Sequence, residues 1–388
     1  MVQDTYTLLR KGLRKLLKAL GYHLPGRRPG LSQRVRELVE TYVDQDRKAE
    51  IDWTDPQARA GHLKVLVDDT EAALELAAEQ ADDTEVQTIG WLLTKILGDD
   101  VVTDEAGHPQ IGEGTAPDRV ISITDPQLRH GRKSAARRFD GFKASVTTEV
   151  TSELIVDIAD VPAPGGDGAH LMPTIERVEA HAGVTVERAI ADGAYGSGDN
   201  RAACARDPNH RIDLVSPVSQ PHDPKVDKSA FHIDLPARRA TCPRGHSVTG
   251  EDRKDRQGRP ILAFTFARSD CETCPLFARC VHSQSAGRTV CTHAHEALLQ
   301  EARQRQQTDE FQVLYRLRSR VEGKIAELVG HGLRETPYLG EQKRQLQRLW
   351  TGATVNLKRM FKLAQAKNVD LGIVLARLSP GQMGLAPG

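Results

Sequence analysis

The chain has 388 residues, with 53 Lys and Arg against 53 Asp and Glu, so its formal net charge is zero. That balance excludes a protein that holds nucleic acid by bulk positive charge and leaves phosphate contact to local clusters. There is no run of about 18 apolar residues and no basic-then-apolar leader after Met1, which excludes a membrane-spanning or exported class and sets an intracellular location as the expectation.

Six cysteines are few for this length, and four of them crowd between Cys242 and Cys280, a pattern that in a reducing compartment points to metal rather than disulfides. The pattern of residues 4–18 predicts a basic amphipathic helix beginning almost at the first residue, which suggests a piece of something longer. Helical periodicity follows at residues 32–43, 56–79 and 84–97, the first and last opened by Ser32 and Thr84 as N-caps. This all-helical block extends to about Asp100 and reads as a bundle used for scaffolding or partner contact.

After Gly107 the period changes. Residues 119–126 read as a short strand stopped by Pro126, residues 139–150 alternate apolar and polar, and residues 154–161 form a third strand ended by a Pro- and Gly-rich breaker. Residues 167–182 are helical, residues 184–191 a strand ending at Asp192, residues 199–206 a helix and residues 211–215 one more strand. That order is an α/β pattern with a mixed sheet. From Ser219 to about His295 the sequence is polar and cysteine-bearing; helix then resumes at residues 296–306, 311–330 and 343–363, the last a basic closing helix with Leu346, Leu349, Val355, Leu357 and Met360.

Two stretches carry candidate chemistry. Asp192 stands at the carboxyl end of an apolar strand and is followed at once by Gly193, where open α/β sheets place ligands; its carboxylate suits a hard divalent cation. Downstream, Tyr315, Arg318 and Glu322 recur at i, i+3 and i+7, so on one continuous helix they lie within about 60° of one another, beside an apolar stripe of Leu317, Val321, Ile325 and Leu328.

The Asp-Gly-Ala-Tyr run at residues 192–195 and the Tyr-x-x-Arg-x-x-x-Glu run at residues 315–322, in that order along the chain, resemble the signatures around the second and last acidic residues of bacterial DDE-type insertion-sequence transposases. The resemblance covers residues 119–360 and extends more weakly to the N-terminal helices. It implies an RNase H-like mixed sheet flanked by helices, and an enzyme that cleaves DNA with Mg²⁺ and transfers the freed 3′ end. Two ions held by three carboxylates would stabilise the attacking and leaving oxygens, with Asp192 bridging them and Glu322 binding one. Arg318 would steer a phosphate or order Glu322, and Tyr315 would contact the backbone near the cut.

The family's first acidic residue sits in a strand followed by Asp-Gly-Thr or Asp-Ser-Thr. Here the pairs Asp4-Thr5 and Asp69-Thr70 lie in helical patterns, so two alternatives stand: Asp125 at the end of the strand read at residues 119–124, or an aspartate upstream of Met1. The segment around Ser122 to Asp125, continued by Gly131 to Ser134, resembles one that follows the first aspartate in the family.

Cys242, Cys271, Cys274 and Cys280 offer a Cys-x-x-Cys knuckle and two further thiols, a set for one structural Zn²⁺, with Cys291, His246 and His282 as rival ligands. Their polar surroundings suggest a segment whose folding energy comes mostly from the metal. The same transposase branch carries a similar pattern between its second and third acidic residues. Arg129, His130, Arg132, Lys133, Arg137 and Arg138 form the densest basic run, on a loop before a strand edge, and with Asn356, Lys358 and Arg359 are the expected phosphate contacts.

The expected organisation is a helical insertion over residues 1–107, the core over 108–218, a zinc-binding insertion over 219–295, the catalytic and closing helices over 296–375, and a disordered tail over 376–388. The expected partners are double-stranded DNA, at terminal repeats and target, and a second copy in a homodimer. Two alternatives stand beside this reading: a remnant that binds DNA and cuts nothing, and a zinc-knuckle binding module whose sheet is structural.

Overall fold

The computed structural model describes residues 3–46, 48–80, 82–134, 136–206, 210–218, 226–281, 283 and 285–369. The tail expected at residues 376–388 lies outside them. Two compact units form: Met1–Ser145, Ala159–Gly165 and Gly332–Thr351 make one, and Val146–Ile158, Gly166–His331 and Gly352–Gly388 the other.

The first unit opens on α1 (Thr5–Ala19), whose N-cap Asp4 accepts from the Thr7 amide at 2.8 Å. Its leucines at 8, 9, 13, 16 and 17 are all buried, because they recur at helical spacing on the side facing α3 (Pro56–Ala78) and α4 (Thr84–Asp100). Gly12 lets α1 and α4 close, since a Cβ there would meet the Leu93 side chain at 2.5 Å. The short α2 (Gln33–Val39) is capped by Ser32 as expected, but α4 is capped by Asp83, with Thr84 as its first helical residue. A carboxylate one position earlier reaches the amides of Glu85 and Val86, and it takes the role from the hydroxyl.

Two small strands, β1 (Val101–Thr103) and β2 (Pro109–Ile111), then form an antiparallel hairpin that periodicity does not announce. Residues 119–126, read as a strand, form none. Val120, Ile121 and Ile123 are buried, yet in place of a ladder the backbone is tied by the Gln3 amide to the Ile121 carbonyl at 2.9 Å and by the Ile123 amide to Gln3 Oε1 at 3.2 Å. Arg119 anchors its start by bonding both oxygens of buried Asp100 at 2.6 Å, a carboxylate that also accepts from Thr5. Apolar burial is legible there; ladder partners are not.

Next come β3 (Arg129–Ser134), β4 (Arg137–Thr148) and β5 (Ile155–Pro162), a three-stranded sheet in that order. The basic run expected on a loop therefore lies on β3 and the start of β4.

In the second unit, α5 (Leu171–Ala182) packs Leu171 and Ile175 with Cys204, Ile212 and Leu214. The strand β6 (Arg188–Ile190), α6 (Gly198–Cys204) and the strand β7 (Asp213–Val215) follow, with β6 and β7 parallel. Among the described residues this pair is separate from the β3-β4-β5 sheet, so the single mixed sheet read from sequence is replaced by several small ones within an α/β chain.

The cysteine-bearing segment holds two three-stranded antiparallel sheets, β8 (His232–Asp234), β9 (Arg239–Thr241) and β10 (Ser247–Thr249), then β11 (Glu251–Lys254), β12 (Pro260–Thr265) and β13 (Thr289–Cys291). Between the last two strands lie the short helices α7 (Arg268–Glu272) and α8 (Phe277–Cys280). Phe231, Ile233, Ala240, Phe264, Phe266 and Val290 form a core here. The expectation that this segment lacks one is corrected: a few aromatic side chains at alternate strand positions suffice.

The chain then forms α9 (Glu296–Arg305), α10 (Asp309–Arg316), α11 (Ser319–Gly330) and α12 (Glu341–Ala366). The helix expected to run unbroken over residues 311–330 is interrupted at Leu317 and Arg318, where amides bond three residues back, Leu317 to Leu314 and Arg318 to Tyr315. The apolar stripe is corrected too. Leu328 is buried, but Ile325 is exposed and Lys324 buried. In α12, Arg344 and Val355 are fully covered while Leu346, Leu349 and Leu357 face outward. No helix among the described residues is long and apolar enough to cross a membrane.

The α1 core should dominate the stability of the first unit. Leu13→Ala removes a fully buried side chain and is expected to cost about 2–5 kcal/mol in urea unfolding; a loss below about 1 kcal/mol would show that the helices repack or that α1 is not docked.

Candidate functional site

The pairing of β6 with β7 continues one residue past the strand, because the Ala191 amide bonds the Val215 carbonyl at 3.1 Å. Asp192 is thus delivered at the end of an extended segment with its side chain exposed. It caps the single turn at Gly193–Tyr195, its Oδ1 accepting from the Ala194 amide at 2.9 Å. Its carbonyl accepts from buried Ser216 Oγ at 2.6 Å, which fixes the residue to the neighbouring strand.

The loop beyond is held as firmly. Asn200 Nδ2 bonds the carbonyls of Gly168 at 2.9 Å and Tyr195 at 3.0 Å, while Arg201 bonds the carbonyls of Gly196 and Ser216. Gly196 admits no side chain, since a Cβ would lie 2.0 Å from the Pro217 carbonyl oxygen. Burial pushes the Tyr195 phenol up to about 12, with Asp167 and Asp192 adding to the shift. One carboxylate faces solvent on a backbone that cannot move far.

At the start of α6, Asp199 meets three cationic or imidazole groups. Arg259 bonds it, with His295 Nε2 at 3.5 Å and His293 Nε2 at 3.9 Å. His293 Nδ1 accepts the His295 amide at 3.0 Å, so in the neutral ring Nε2 carries the proton and points toward the carboxylate as a donor. The Arg259–Asp199 bond, flanked by the two histidines, links the cysteine-bearing segment to α6. Sequence reasoning missed it because its members lie about 60 to 100 positions apart.

Tyr315, Arg318 and Glu322 are brought together despite the break between α10 and α11. Arg318 bonds Glu322 at 2.9 Å and lies over the Tyr315 ring at 5.4 Å, and Tyr315 stacks on buried Phe311 at 5.7 Å. The Glu322 side chain keeps 55% exposure, so its carboxylate is open on one side. Asp192 belongs to the same unit, and α10 packs against β7, the strand next to the one that ends in Asp192.

Asp125 is placed differently. It is buried in the first unit, where its carboxylate pairs with the equally buried Arg344 and also accepts from the Gly340 amide at 3.4 Å. Arg344 rests 3.7 Å above the Phe142 ring, bonds Gln127 at 3.0 Å and approaches Asp160 at 3.5 Å, and Arg348 bonds Asp160 in turn. Burial pulls the Arg348 guanidinium down to about 10. Asp125 Oδ2 thus takes both the Arg344 guanidinium and the Gly340 amide, and the carboxylate is buried rather than open to a cation. Asp69 is likewise engaged, by Tyr42 and by Arg34 at 2.6 Å.

The Asp4-Thr5 pair, read as helical, is split. Asp4 is extended, with φ −72° and ψ 165°, and exposed, while Thr5 begins α1. Preceded by Gln3, whose amide bonds the Ile121 carbonyl at 2.9 Å, Asp4 is an exposed carboxylate just ahead of α1. The signal was present in the N-cap rule, which puts an aspartate before a helix rather than in it.

Cys242, Cys271, Cys274 and Cys280 line one small cavity of about 30 Å³ together with His246, Phe231, Phe266 and Arg288. A tight turn brings Cys242 there, the Cys242 amide bonding the His246 carbonyl at 2.9 Å. Burial pushes the Cys280 thiol up; Arg288 opposes this, and the three other thiols add to it. Cys291 is exposed on β13 and does not line the cavity, and His282 lies outside the described residues. The four sulfurs share one space, yet no three His, Cys, Asp or Glu side chains among the described residues form a group that could hold a metal ion as they stand.

Asn356, Lys358 and Arg359, expected at phosphate, are committed elsewhere. Asn356 bonds both backbone groups of Ile155 at 2.8 Å, Arg359 bonds the Ser152 carbonyl at 2.7 Å and Lys358 bonds His331 at 2.9 Å.

Residues 241–361 match the family model described as a transposase DDE domain, a span that holds all four cavity cysteines and Tyr315, Arg318 and Glu322. No curated protein and no solved structure matches the chain.

Asp125→Ala should leave a buried guanidinium short of its partner and cost about 3 kcal/mol or more in urea unfolding, whereas Asp125→Leu combined with Arg344→Met should recover much of that loss. If both proteins are equally destabilised, the pair is not the coupled unit its geometry indicates.

Proposed function

We propose that this chain, which carries a transposase DDE domain over residues 241–361, cleaves DNA at the ends of an insertion element and joins the freed 3′ end to target DNA. The observation that carries the reading is a carboxylate just past a strand, Asp192, whose backbone is held by Ser216, itself bonded by Arg201, in the same unit as the Tyr315, Arg318 and Glu322 cluster. Such an enzyme acts in the cytoplasm, as a homodimer on paired ends, with an RNase H-like core. Support for that core is the parallel β6–β7 pair that ends in Asp192 beside α10.

Asp192 and Glu322 would hold divalent cations of the Mg²⁺ class with a third carboxylate, and the ions, when bound, would stabilise charge on the attacking and leaving oxygens. Arg318 pairs with Glu322 and would meet a phosphate, with the Tyr315 ring against its guanidinium. Cys242, Cys271, Cys274 and Cys280 would take a structural Zn²⁺ in the cavity they line, at the cost of drawing the sulfurs inward.

One observation favours a second reading. No group of three potential ligands converges among the described residues, as would suit a chain that binds DNA and cuts nothing. Strand cleavage on the element's own terminal repeats with Mg²⁺ or Mn²⁺ decides between them. Asp192→Asn and Glu322→Gln should each lower cleavage by about 100-fold or more with the fold intact. Cleavage that survives both substitutions, or a wild type with no cleavage at all, would remove the catalytic reading.

Zinc content is tested separately. The purified chain should carry one zinc, Cys274→Ser should lose it, and chelation should make the cavity thiols reactive; a metal-free wild type with unreactive thiols would refute the assignment.

A further inference from the structure

The hairpin of β3 and β4 sorts its charges along its length. At its base they are neutralised: His130 Nδ1 lies 2.5 Å from Asp140, and Arg129 bonds Asp118 at 2.6 Å and the carbonyls of Pro126 and Leu128. Toward the tip they are bare. Arg132, Lys133, Arg137 and Arg138 are exposed, and among the described residues none of the four has an ion pair or side-chain hydrogen bond.

The register makes this more than a loose basic loop. Gly131 stands opposite Phe139, and a Cβ on the glycine would fall 2.3 Å from the ring, so Phe139 lies across it and fixes which residues face each other. One step further, Arg132 is directly opposite Arg138, with a bulge between Arg132 and Ser134 that carries Lys133. Like charges directly opposite in an antiparallel pair repel, and here no carboxylate relieves them. The free ribbon therefore stores a repulsion that a polyanion would remove.

We propose that the β3–β4 ribbon is a docking arm for the phosphate backbone of duplex DNA, separate from the carboxylates assigned to cleavage. Charge complementarity argues for a polyphosphate, and a two-stranded ribbon is of the width that the major groove of a duplex admits. The choice of DNA as that polyanion rests on the function proposed above. The arm itself reads no sequence, because backbone contacts carry none. It also accounts for how a chain with no net charge can hold DNA, since four unneutralised cations stand together at this tip.

The test is equilibrium binding of the full chain to a short labelled duplex of arbitrary sequence, over a salt series without added divalent cation, together with Tm of the free and bound protein. Wild type should bind in a salt-dependent way and gain Tm with duplex. Replacing Arg132 and Arg138 together by Gln should lower the slope of log affinity against log salt by about 0.9 for each phosphate that the ribbon no longer neutralises. Arg138→Glu should act in opposite directions, raising the Tm of the free protein by turning a repulsive rung into an attractive one while weakening the duplex complex most. Unchanged affinity and slope in the double Gln variant would overturn the proposal, as would a wild type that ignores duplex or prefers single-stranded RNA. Ribbon variants that cleave and bind like wild type count against the arm alone; wild type that binds in a salt-dependent manner and never cleaves counts against the catalytic reading alone.

Discussion

A carboxylate can serve a cation only if the backbone beneath it is held, because a mobile anion spends on ordering what it would gain in binding. In this chain the restraint is a single lateral bond, Ser216 Oγ to the Asp192 carbonyl, reinforced by Arg201 across the next strand's end. Everything assigned to the second unit depends on it. The parallel pairing of β6 and β7 brings the two residues level, Gly196 removes the side chain that would wedge them apart, and Asn200 ties the following turn back to Gly168. The strand is only three residues long, so its precision comes from these side-chain bonds rather than from an extended ladder.

The sequence makes legible whatever depends on local spacing. The helices of the first block, the β4–β5 hairpin and the strand that ends at Asp192 follow from periodicity and breakers, and the Tyr315, Arg318 and Glu322 cluster follows from residues a turn or two apart. That cluster survives even where the helix breaks, because a tightened turn displaces side chains by less than their reach. The failures share a cause as well. Residues 119–126 look like a strand, but a strand needs a neighbour, and the neighbour is Gln3, more than a hundred positions away. Asp199 and its histidines are invisible for the same reason.

Charge is the least legible property, since sequence shows which residues are ionic but not which are buried. Arg344 and Arg348 stand in a helix whose leucines the periodicity assigns to the core, yet the arginines are inside and three of the leucines outside. A guanidinium can enter a core only with partners, and Asp125, Asp160, Gln127 and the Phe142 face supply them from three distant segments. The end of an apolar run makes Asp125 look like a metal ligand. That same position marks it as buried, and burial gives it to an arginine.

The phenylalanines beside the cysteine cavity have a bearing on descent. Phe231, Phe264 and Phe266 close an apolar core next to the thiols, so the shape of this segment is not entrusted to sulfur alone. A lineage could shed one cysteine after another while keeping the six strands, and the segment would then persist as a spacer whose ancestry is written in its aromatic positions. Cysteine counts would be a poor guide to kinship in such a group, and the aromatic positions 231, 264 and 266 a better one.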